Sequence, residues 1–279
     1  MAPIVRSGAQ GALSDTVTLD PDDLARAVRK RVLTMTRHDV PSHLVSALST
    51  IEILAAVYGA FVDLKSIQRR SPDRDRVVLS KGHAALALYA TLVECGVTSS
   101  DSISDYGPGA RNATVHPLCG RLAGVEATSG SLGHGVALGA GMALGARLRS
   151  FGSRTIVILG DGELQEGSIW EAALLAAHRA LSQLFVIVDL NGLQQTGAVQ
   201  DIAGLEPLAD KWKAFGWHVE QVDGHDTSAL AGALRRSDPT PKPVVLLART
   251  VKGRGVPSME GKDGWHFRVP GVLEGSARA

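Results

Sequence analysis

Two polar residues each follow an apolar run of the kind that forms a buried strand. Asp161 stands in a Gly-Asp-Gly turn after the run TIVILG, and Asn191 follows the run LFVIVDL. Thirty positions separate the two residues, which is about the length of one βαβ unit. Because ligands of parallel sheets bind beyond the carboxyl ends of the strands, we expect both side chains to reach the same edge of a sheet.

The chemistry that these residue types allow is the binding of a divalent cation. A carboxylate, an amide oxygen and nearby backbone carbonyls form an incomplete oxygen shell, which leaves positions for phosphate oxygens and water as Mg²⁺ prefers. The glycines on either side of Asp161 let a phosphate approach the backbone closely. Either residue alone is also ordinary turn chemistry, but together they favour a metal–diphosphate site. We expect Asp161 to be a surface carboxylate at a strand end.

The elements that would position such a site follow from the alternation of apolar patterns along the chain. Asp20 followed by Pro21 predicts the start of a first helix, since Asp caps helices and Pro suits the first helical position. The expected strands are DRVVLS, TIVILG, LFVIVDL, WHVEQVD and PVVLLART, with helical patterns between them. Continuous apolar strands that alternate with helices indicate an α/β fold with a doubly wound, mostly parallel sheet and helices on both faces.

Composition limits the domain organisation and the class of function. A chain of 279 residues with 44% hydrophobic residues and no evident linker or repeat predicts a single domain over 1–279, preceded by a loose N-terminal arm at 1–19. With 29 basic and 28 acidic residues and no basic tract, we expect no nucleic acid partner. No apolar run is long enough to span a bilayer, so we expect no membrane partner. The two cysteines have no metal or redox spacing, and no signal peptide is evident, so we expect a cytoplasmic protein.

Longer stretches of the chain resemble the transketolase family. The matching stretches are VVLSKGHAALALYATL, GVEATSGSLGHGVALGAGMALGARL, LGDGELQEGSIWEAALLAAH, IVDLNGLQQTG, LEPLADKWKAFGWHVEQVDGHD and RTVKGRGVPSMEGKDGWH. The resemblance runs from about residue 24 to 268 and corresponds to the first, diphosphate-binding domain of that family. It implies the thiamine diphosphate-binding fold, with thiamine diphosphate and Mg²⁺, or Ca²⁺ or Mn²⁺, as cofactors.

The resemblance also implies roles for individual residues. The metal would be held by Asp161, Asn191 and the backbone carbonyl of Leu193. The cofactor-binding residues that it implies are His83, Gly130, Leu132, Gly162, Glu166, Asn191 and His266. Within that set, His83 and Gly162 would lie at the diphosphate, and Gly130 and Leu132 would line the aminopyrimidine ring.

Three histidines are implied to be catalytic. His43 and His116 would contact the hydroxyls of the donor substrate, and His266 would bridge the diphosphate and the substrate. Neutral imidazoles can accept a hydroxyl proton near pH 7 and return it later, so a cluster of them suits this chemistry. Glu166 and Glu171 resemble acidic residues at the family's subunit interface.

The implied reaction moves a two-carbon ketol unit from a ketose phosphate to an aldose acceptor. In this family the Glu that protonates the aminopyrimidine lies in a second, pyrimidine-binding domain, and no stretch of this chain resembles that domain. We therefore expect a split enzyme in which a partner subunit supplies the catalytic Glu. The expected assembly is an α2β2 heterotetramer that acts on sugar phosphates.

Several positions near the histidines depart from the family pattern and leave alternatives open. The departures are Ser42, Val45, Val115, Leu118, His134 and Phe267. Since the metal and diphosphate positions keep the pattern, one alternative is another thiamine diphosphate-dependent ketol- or acyl-transferase or synthase in a specialised pathway. The other is a non-catalytic cofactor-binding subunit. A Rossmann dehydrogenase is excluded, because no G-x-G-x-x-G loop opens a helix.

Overall fold

The structure is a computed structural model that describes residues 19–36, 42–238 and 240–267. Apart from Leu19, the arm expected at 1–19 lies outside these described residues. The described helices are α1 (Pro21–Met35), α2 (Leu44–Leu48), α3 (Ile51–Ala60), α4 (Leu64–Gln68), α5 (Ala85–Glu94), α6 (Gly135–Leu148), α7 (Gly167–His178), α8 (Val199–Ala203), α9 (Leu208–Ala214) and α10 (Thr227–Ser237). The described strands are β1 (Arg76–Leu79), β2 (Thr155–Gly160), β3 (Leu184–Leu190), β4 (Leu193–Gln194), β5 (Gly197–Ala198), β6 (His218–Asp223) and β7 (Val244–Arg249).

Five strands form one sheet in the order β1-β2-β3-β7-β6, and every neighbouring pair in it is parallel. These are the five strands that the apolar runs predict, and the mostly parallel α/β fold is confirmed. The remaining two strands, β4 and β5, form a short antiparallel hairpin directly after Asn191. The sequence pattern does not predict this hairpin, because two residues per strand are too few to show an alternation.

Side chains on the two faces of the sheet belong to separate hydrophobic cores. Along β2, Ile156 and Ile158 pack in the core that includes residues of α1, α3, α5 and α10. Val157 and Leu159 point to the opposite face and pack with residues of α6, α7 and α9. Because successive residues of a strand face opposite sides, the continuous apolar runs bury both faces, and helices cover each of them.

The first helix begins as the sequence predicts. The Asp20 carboxylate accepts hydrogen bonds from the backbone N–H groups of Asp22 and Asp23 at 3.0 and 2.9 Å, and Pro21 occupies the first helical position. Such a cap satisfies N–H groups that have no partner within the helix. None of the described helices has the length and apolar character needed to cross a membrane.

The register of the central strands determines where the polar residues emerge. Gly160, the last residue of β2, pairs with Asp189 of β3. Asp161 and Asn191 therefore leave the sheet from adjacent parallel strands at the same, carboxyl-terminal edge.

Candidate cofactor and active site

A cavity of about 510 Å³ opens at this edge of the sheet. It is lined by all eleven site residues that the sequence analysis names: His43, His83, His116, Gly130, Leu132, Asp161, Gly162, Glu166, Asn191, Leu193 and His266. Glu171 is exposed on α7 and does not line this cavity. The structure thus brings together residues from seven separate segments of the chain, while their individual roles stay predictions.

The Asp161 carboxylate joins the end of β2 to the turn after β3. Its Oδ1 accepts a hydrogen bond from the Gly162 N–H at 2.8 Å, and its Oδ2 accepts one from the Gly192 N–H at 2.6 Å. The Asn191 side chain lies in the same turn, where its Oδ1 accepts the Leu193 N–H at 3.1 Å. These bonds hold the three predicted metal ligands around the turn 191–193, the metal turn.

Asp161 is buried rather than a surface carboxylate, so that expectation was wrong. Only 4% of the residue is exposed. Burial raises the pKa of its carboxyl to about 6, and the negative charge of Asp189 adds to the effect. A carboxylate in this position favours a nearby cation, because the cation offsets both the burial and the charge of Asp189.

The predicted ligands fit a divalent cation whose coordination shell is completed by a diphosphate. Among the residues described, no group of three or more His, Cys, Asp or Glu side chains is arranged to hold a metal on its own. Asp161, Asn191 and the Leu193 carbonyl supply one carboxylate, one amide oxygen and one backbone oxygen. Mg²⁺ commonly takes one or two carboxylates together with phosphate oxygens and water. These three protein ligands would supply part of such a shell and leave positions for phosphate oxygens and water.

The glycines of the site leave space where a side chain would intrude. A Cβ at Gly162 would lie 3.1 Å from the Cβ of Gln194. Gly130 has a φ of +149°, and a Cβ there would lie 3.4 Å from the ring of His116. Both positions therefore bring bare backbone to the cavity wall, as the predicted contacts with a diphosphate and a ring require.

A buried ion pair beneath the metal turn was missed by the sequence analysis. The Lys81 ammonium donates to Asp189, and both side chains are almost completely buried. Asp189 also accepts hydrogen bonds from the hydroxyls of Ser49, at 2.7 Å, and Thr250. Burial alone would raise the pKa of Asp189, but Lys81 and these hydrogen bonds outweigh it and hold that pKa below its ordinary value.

A sequence signal for this pair existed. Asp189 interrupts the apolar run LFVIVDL, and an acidic residue in a buried strand requires a partner. Which lysine supplies the partner could not be inferred, since Lys81 is 108 positions away.

Lys252 is a second buried cation that the sequence analysis did not single out. The residue is 4% exposed, and its Nζ donates to the Leu193 carbonyl at 2.9 Å. The same Nζ lies 3.0 Å from Nδ1 of His266. Burial, with the charge of Lys81, lowers the pKa of Lys252 to about 8. Lys252 therefore connects the metal turn to the histidines and adds positive charge where an anionic diphosphate would lie.

Four imidazoles form a cluster beyond Lys252. The ring of His43 lies 5.3 Å from His83, 5.9 Å from His116 and 5.1 Å from His266, measured between ring centroids. Burial lowers the pKa of all four, to about 4 for His43 and about 3 for His266. The histidines are therefore neutral near pH 7.

The hydrogen bonds of His43 and His266 assign their ring protons. His43 Nδ1 lies 3.1 Å from the His266 carbonyl oxygen, which can only accept, so Nδ1 carries the proton. His43 Nε2 is then free to accept a proton from a ligand. Lys252 donates to Nδ1 of His266, so the proton of that ring is on Nε2. The two rings thus offer one acceptor and one donor.

Residues 22–269 match the family model described as transketolase, thiamine diphosphate binding domain. An apulose-4-phosphate transketolase subunit from Actinobacillus succinogenes is 36% identical over 247 residues, which cover 88% of this chain and 90% of that protein. The 6-deoxy-6-sulfo-D-fructose transketolase subunit SqwG of Clostridium sp. is 37% identical over 245 residues, which cover 88% of this chain and 89% of that protein.

The transketolase from Leishmania mexicana has a TM-score of 0.82 against this structure at 26% identity, and the match covers 94% of this chain. The chain spans only 43% of the length of that solved transketolase. The resemblance inferred from the sequence motifs is thereby confirmed. Since the family model covers most of the chain and the relatives align along nearly all of it, the chain belongs to the transketolase family of transferases and corresponds to the thiamine diphosphate-binding domain of that family.

Proposed function

We propose that this chain is the diphosphate-binding subunit of a transketolase-type enzyme that moves a two-carbon ketol unit from a ketose phosphate to an aldose acceptor. The observation that carries the proposal is the shared cavity in which Asp161 and Asn191, at the ends of β2 and β3, face a cluster of neutral imidazoles. A metal–diphosphate turn and proton-accepting rings are the two parts that this reaction requires of the domain.

The proposed cofactors are thiamine diphosphate and Mg²⁺, with Ca²⁺ or Mn²⁺ as alternative metals. Asp161, Asn191 and the Leu193 carbonyl would hold the metal. The cofactor, when bound, supplies a nucleophilic carbon and an acceptor for the electrons of the broken carbon–carbon bond. His83 and Gly162 would contact the diphosphate.

The remaining cavity residues would bind the ring and handle protons. Gly130 and Leu132 would line the aminopyrimidine. His43 would accept a proton from a substrate hydroxyl at Nε2, since its Nδ1 donates to a backbone carbonyl. His266 would donate from its own Nε2, with Lys252 fixing the orientation of the ring. His116, also at the cavity wall, would contact a second hydroxyl of the donor.

A partner subunit is part of this proposal. The relatives from Actinobacillus succinogenes and Clostridium sp. align along nearly their whole length and are both named as transketolase subunits, and the solved transketolase chain is more than twice as long as the matching region. The partner would supply the catalytic Glu and the rest of the sugar phosphate site, in an assembly of two copies of each chain. Glu166, exposed at the cavity, and Glu171 on α7 would lie near that partner.

We also propose that the chain is one domain over 1–279 and that it acts in the cytoplasm. Both faces of its one large sheet are covered by helices of the described residues, which supports a single domain. Cys95, buried, and Cys119, exposed, are both free thiols, which agrees with a reducing compartment.

A second candidate is a related transferase with a different donor or acceptor. Phe267, which departs from the family pattern, packs against the His43 ring with 4.6 Å between centroids and is 47% exposed. An aromatic side chain beside a substrate-facing histidine would change the shape of the part of the cavity where the donor substrate would bind. The relatives also carry names with different substrates at nearly equal identity, 36% and 37%, so identity does not choose between them.

The test is reconstitution with the partner subunit, which a neighbouring reading frame should encode. Titration calorimetry of the pair with Mg²⁺ and thiamine diphosphate should show saturable, metal-dependent binding. Product analysis with ketose phosphates should show two-carbon transfer, and this chain alone should show none. Absence of cofactor binding by the pair, or substantial ketol transfer by the isolated chain, would contradict the proposal.

A further inference from the structure

Glu163 is a buried carboxylate to which the proposed chemistry gives no role. The residue is 2% exposed and lies in the turn after β2. Its Oε1 accepts a hydrogen bond from the Ser80 hydroxyl and another from the Gly133 N–H at 2.9 Å. Its Oε2 accepts the Gly160 N–H at 3.4 Å. One carboxylate therefore connects the segment after β1, the loop 129–134 and the end of β2.

Ser80 extends this connection into the start of α6. Its Oγ accepts the Gly135 N–H at 3.1 Å while its hydroxyl donates to Glu163. The contact is close, because a Cβ at Gly135 would lie 2.2 Å from Ser80 Oγ. A Cβ at Gly82 would likewise lie 2.8 Å from the backbone nitrogen of Gly130. The loop is thus packed directly on the segment after β1.

Gly133 is held through both of its backbone polar groups. Its N–H donates to Glu163, and its carbonyl accepts the Ser168 hydroxyl at 2.9 Å. Its φ of +86° is in the region that favours glycine, and a Cβ there would lie 2.7 Å from the Cβ of Glu166. The centre of the loop is therefore held in one position by Glu163, which accepts from its N–H, and by Ser168 of α7, which donates to its carbonyl.

We propose that Glu163 is a positioning residue that sets the distance between the loop 129–134 and the turn 160–162. The inference rests on the proposed function, since these two segments would hold the ring and the diphosphate of one cofactor. Gly130 and Leu132 lie on the loop, and Gly162 lies on the turn. Glu163 acts through backbone N–H groups and Ser80, and hydrogen bonds to a carboxylate are about twice as strong as neutral ones.

The fixing of the loop 129–134 by Glu163 is tested by amide hydrogen exchange on the full chain. In Glu163→Ala, the Gly133 and Gly135 amides should exchange at least tenfold faster, while amides of β2 and β3 keep their protection. Ser80→Ala should release the same amides. Glu163→Gln should give an intermediate result, because Gln can still accept from Gly133 but turns an N–H₂ group toward the Gly160 N–H. Unchanged loop exchange in folded Glu163→Ala or Ser80→Ala would overturn the inference.

The matched control is Ser153→Ala. Ser153 is also buried, lies before β2 at the opposite end of the strand, and its hydroxyl has no hydrogen-bond partner among the described residues. Its removal should change neither the exchange of the loop nor ligand affinity.

The consequence for the cofactor is tested by calorimetry of the chain with its partner subunit. Mg²⁺–thiamine diphosphate uses both segments, whereas Mg²⁺–pyrophosphate uses only the turn. Glu163→Ala and Ser80→Ala should weaken the first at least tenfold and the second less than twofold. An equal loss for both ligands, or equal wild-type affinities for both, would overturn the positioning role while leaving the metal site in place. If the wild type binds neither ligand, the proposed function fails, and hydrogen exchange alone decides whether Glu163 fixes the loop.

Discussion

Replacement of Lys81 by Met should strongly destabilise the chain, because it removes the ammonium that pairs with Asp189 and also donates to the Ser46 carbonyl at 3.4 Å. Lys81 and Asp189 have side-chain exposures of 1% and 0%, so the carboxylate that loses the ammonium stays largely shielded from water. Removal of one partner of a buried ion pair typically costs about 3–5 kcal/mol, because the remaining charge stays buried without compensation. The hydroxyls of Ser49 and Thr250 still donate to Asp189, which places the expected loss within that range rather than above it.

The assay is urea unfolding followed by tryptophan fluorescence. Trp212 and Trp217 pack with 4.8 Å between ring centroids in the core on the opposite face of the sheet, whereas Trp265 packs against the core on the Lys81 side. In a Trp265→Phe background, the fluorescence therefore reports unfolding of the sheet and not a local change at Lys81. The midpoint should fall without a change in slope, because the surface exposed on unfolding stays the same. In the variant, burial is no longer offset by the ammonium and raises the pKa of Asp189. The deficit should therefore shrink as the pH falls toward 5, because the protonated Asp189 of the variant requires no counter-charge.

The decisive comparison is the double variant Lys81→Met/Asp189→Asn. Replacement of both charges removes the uncompensated carboxylate, so this variant should recover more than half of the stability that the single variant loses. A loss below about 1 kcal/mol in the single variant, or strictly additive losses for the two changes, would refute the reasoning.

Four further predictions concern the metal turn and the histidines. Asp161→Asn should lower metal-dependent affinity for thiamine diphosphate roughly 100-fold or more with circular dichroism unchanged, since the charged ligand is lost while an oxygen remains for one backbone N–H; wild-type affinity would remove the metal assignment. Because burial raises the pKa of Asp161 to about 6, protons should compete with the metal below that pH, and calorimetry should show apparent affinity falling about tenfold per pH unit. Folding lowers the pKa of His43 from 6.5 to about 4, so the unfolded chain binds the proton at a higher pH than the folded chain does. About 3 kcal/mol of stability, fully present above pH 6.5, should therefore be lost as the pH falls to 4. The variant His43→Gln should lose less stability in the same acid titration. In the reconstituted enzyme, His43→Gln should lower kcat by about 10²–10⁴ and leave cofactor affinity within about twofold, and an unchanged kcat would exclude its proposed role in proton transfer.

The fold was largely predictable, because it depends on local patterns, whereas most residues that line the cavity were named only through the resemblance to the transketolase family. The runs TIVILG and LFVIVDL became adjacent parallel strands, and their register carries Asp161 and Asn191 to one edge. Burial was not predictable in the same way. Asp161 is expected at the surface but is buried against the turn after β3. The Gly192 N–H of that turn becomes its neighbour only when β2 and β3 pair.

The buried ionic contacts show the same limit. Lys81 and Asp189 are far apart in the chain, and neither Lys252 nor Glu163 stands in a pattern that distinguishes it from an exposed charged residue. Their partners are set by the packing of loops against strand ends, and short-range sequence periodicity carries no information about that packing. The hairpin of β4 and β5 was missed for a related reason, since its pairing is defined by the turn geometry alone.

The position of β7 bears on how the protein is made. It lies between β3 and β6, yet it is the last of the five sheet strands to leave the ribosome. Until it emerges, β3 has an unpaired edge, and the lysine and histidine that follow β7 are not yet available to the cavity. Such long-range pairing is slow to form and exposes strand edges to aggregation, so synthesis of this protein should be sensitive to growth temperature and to chaperone supply.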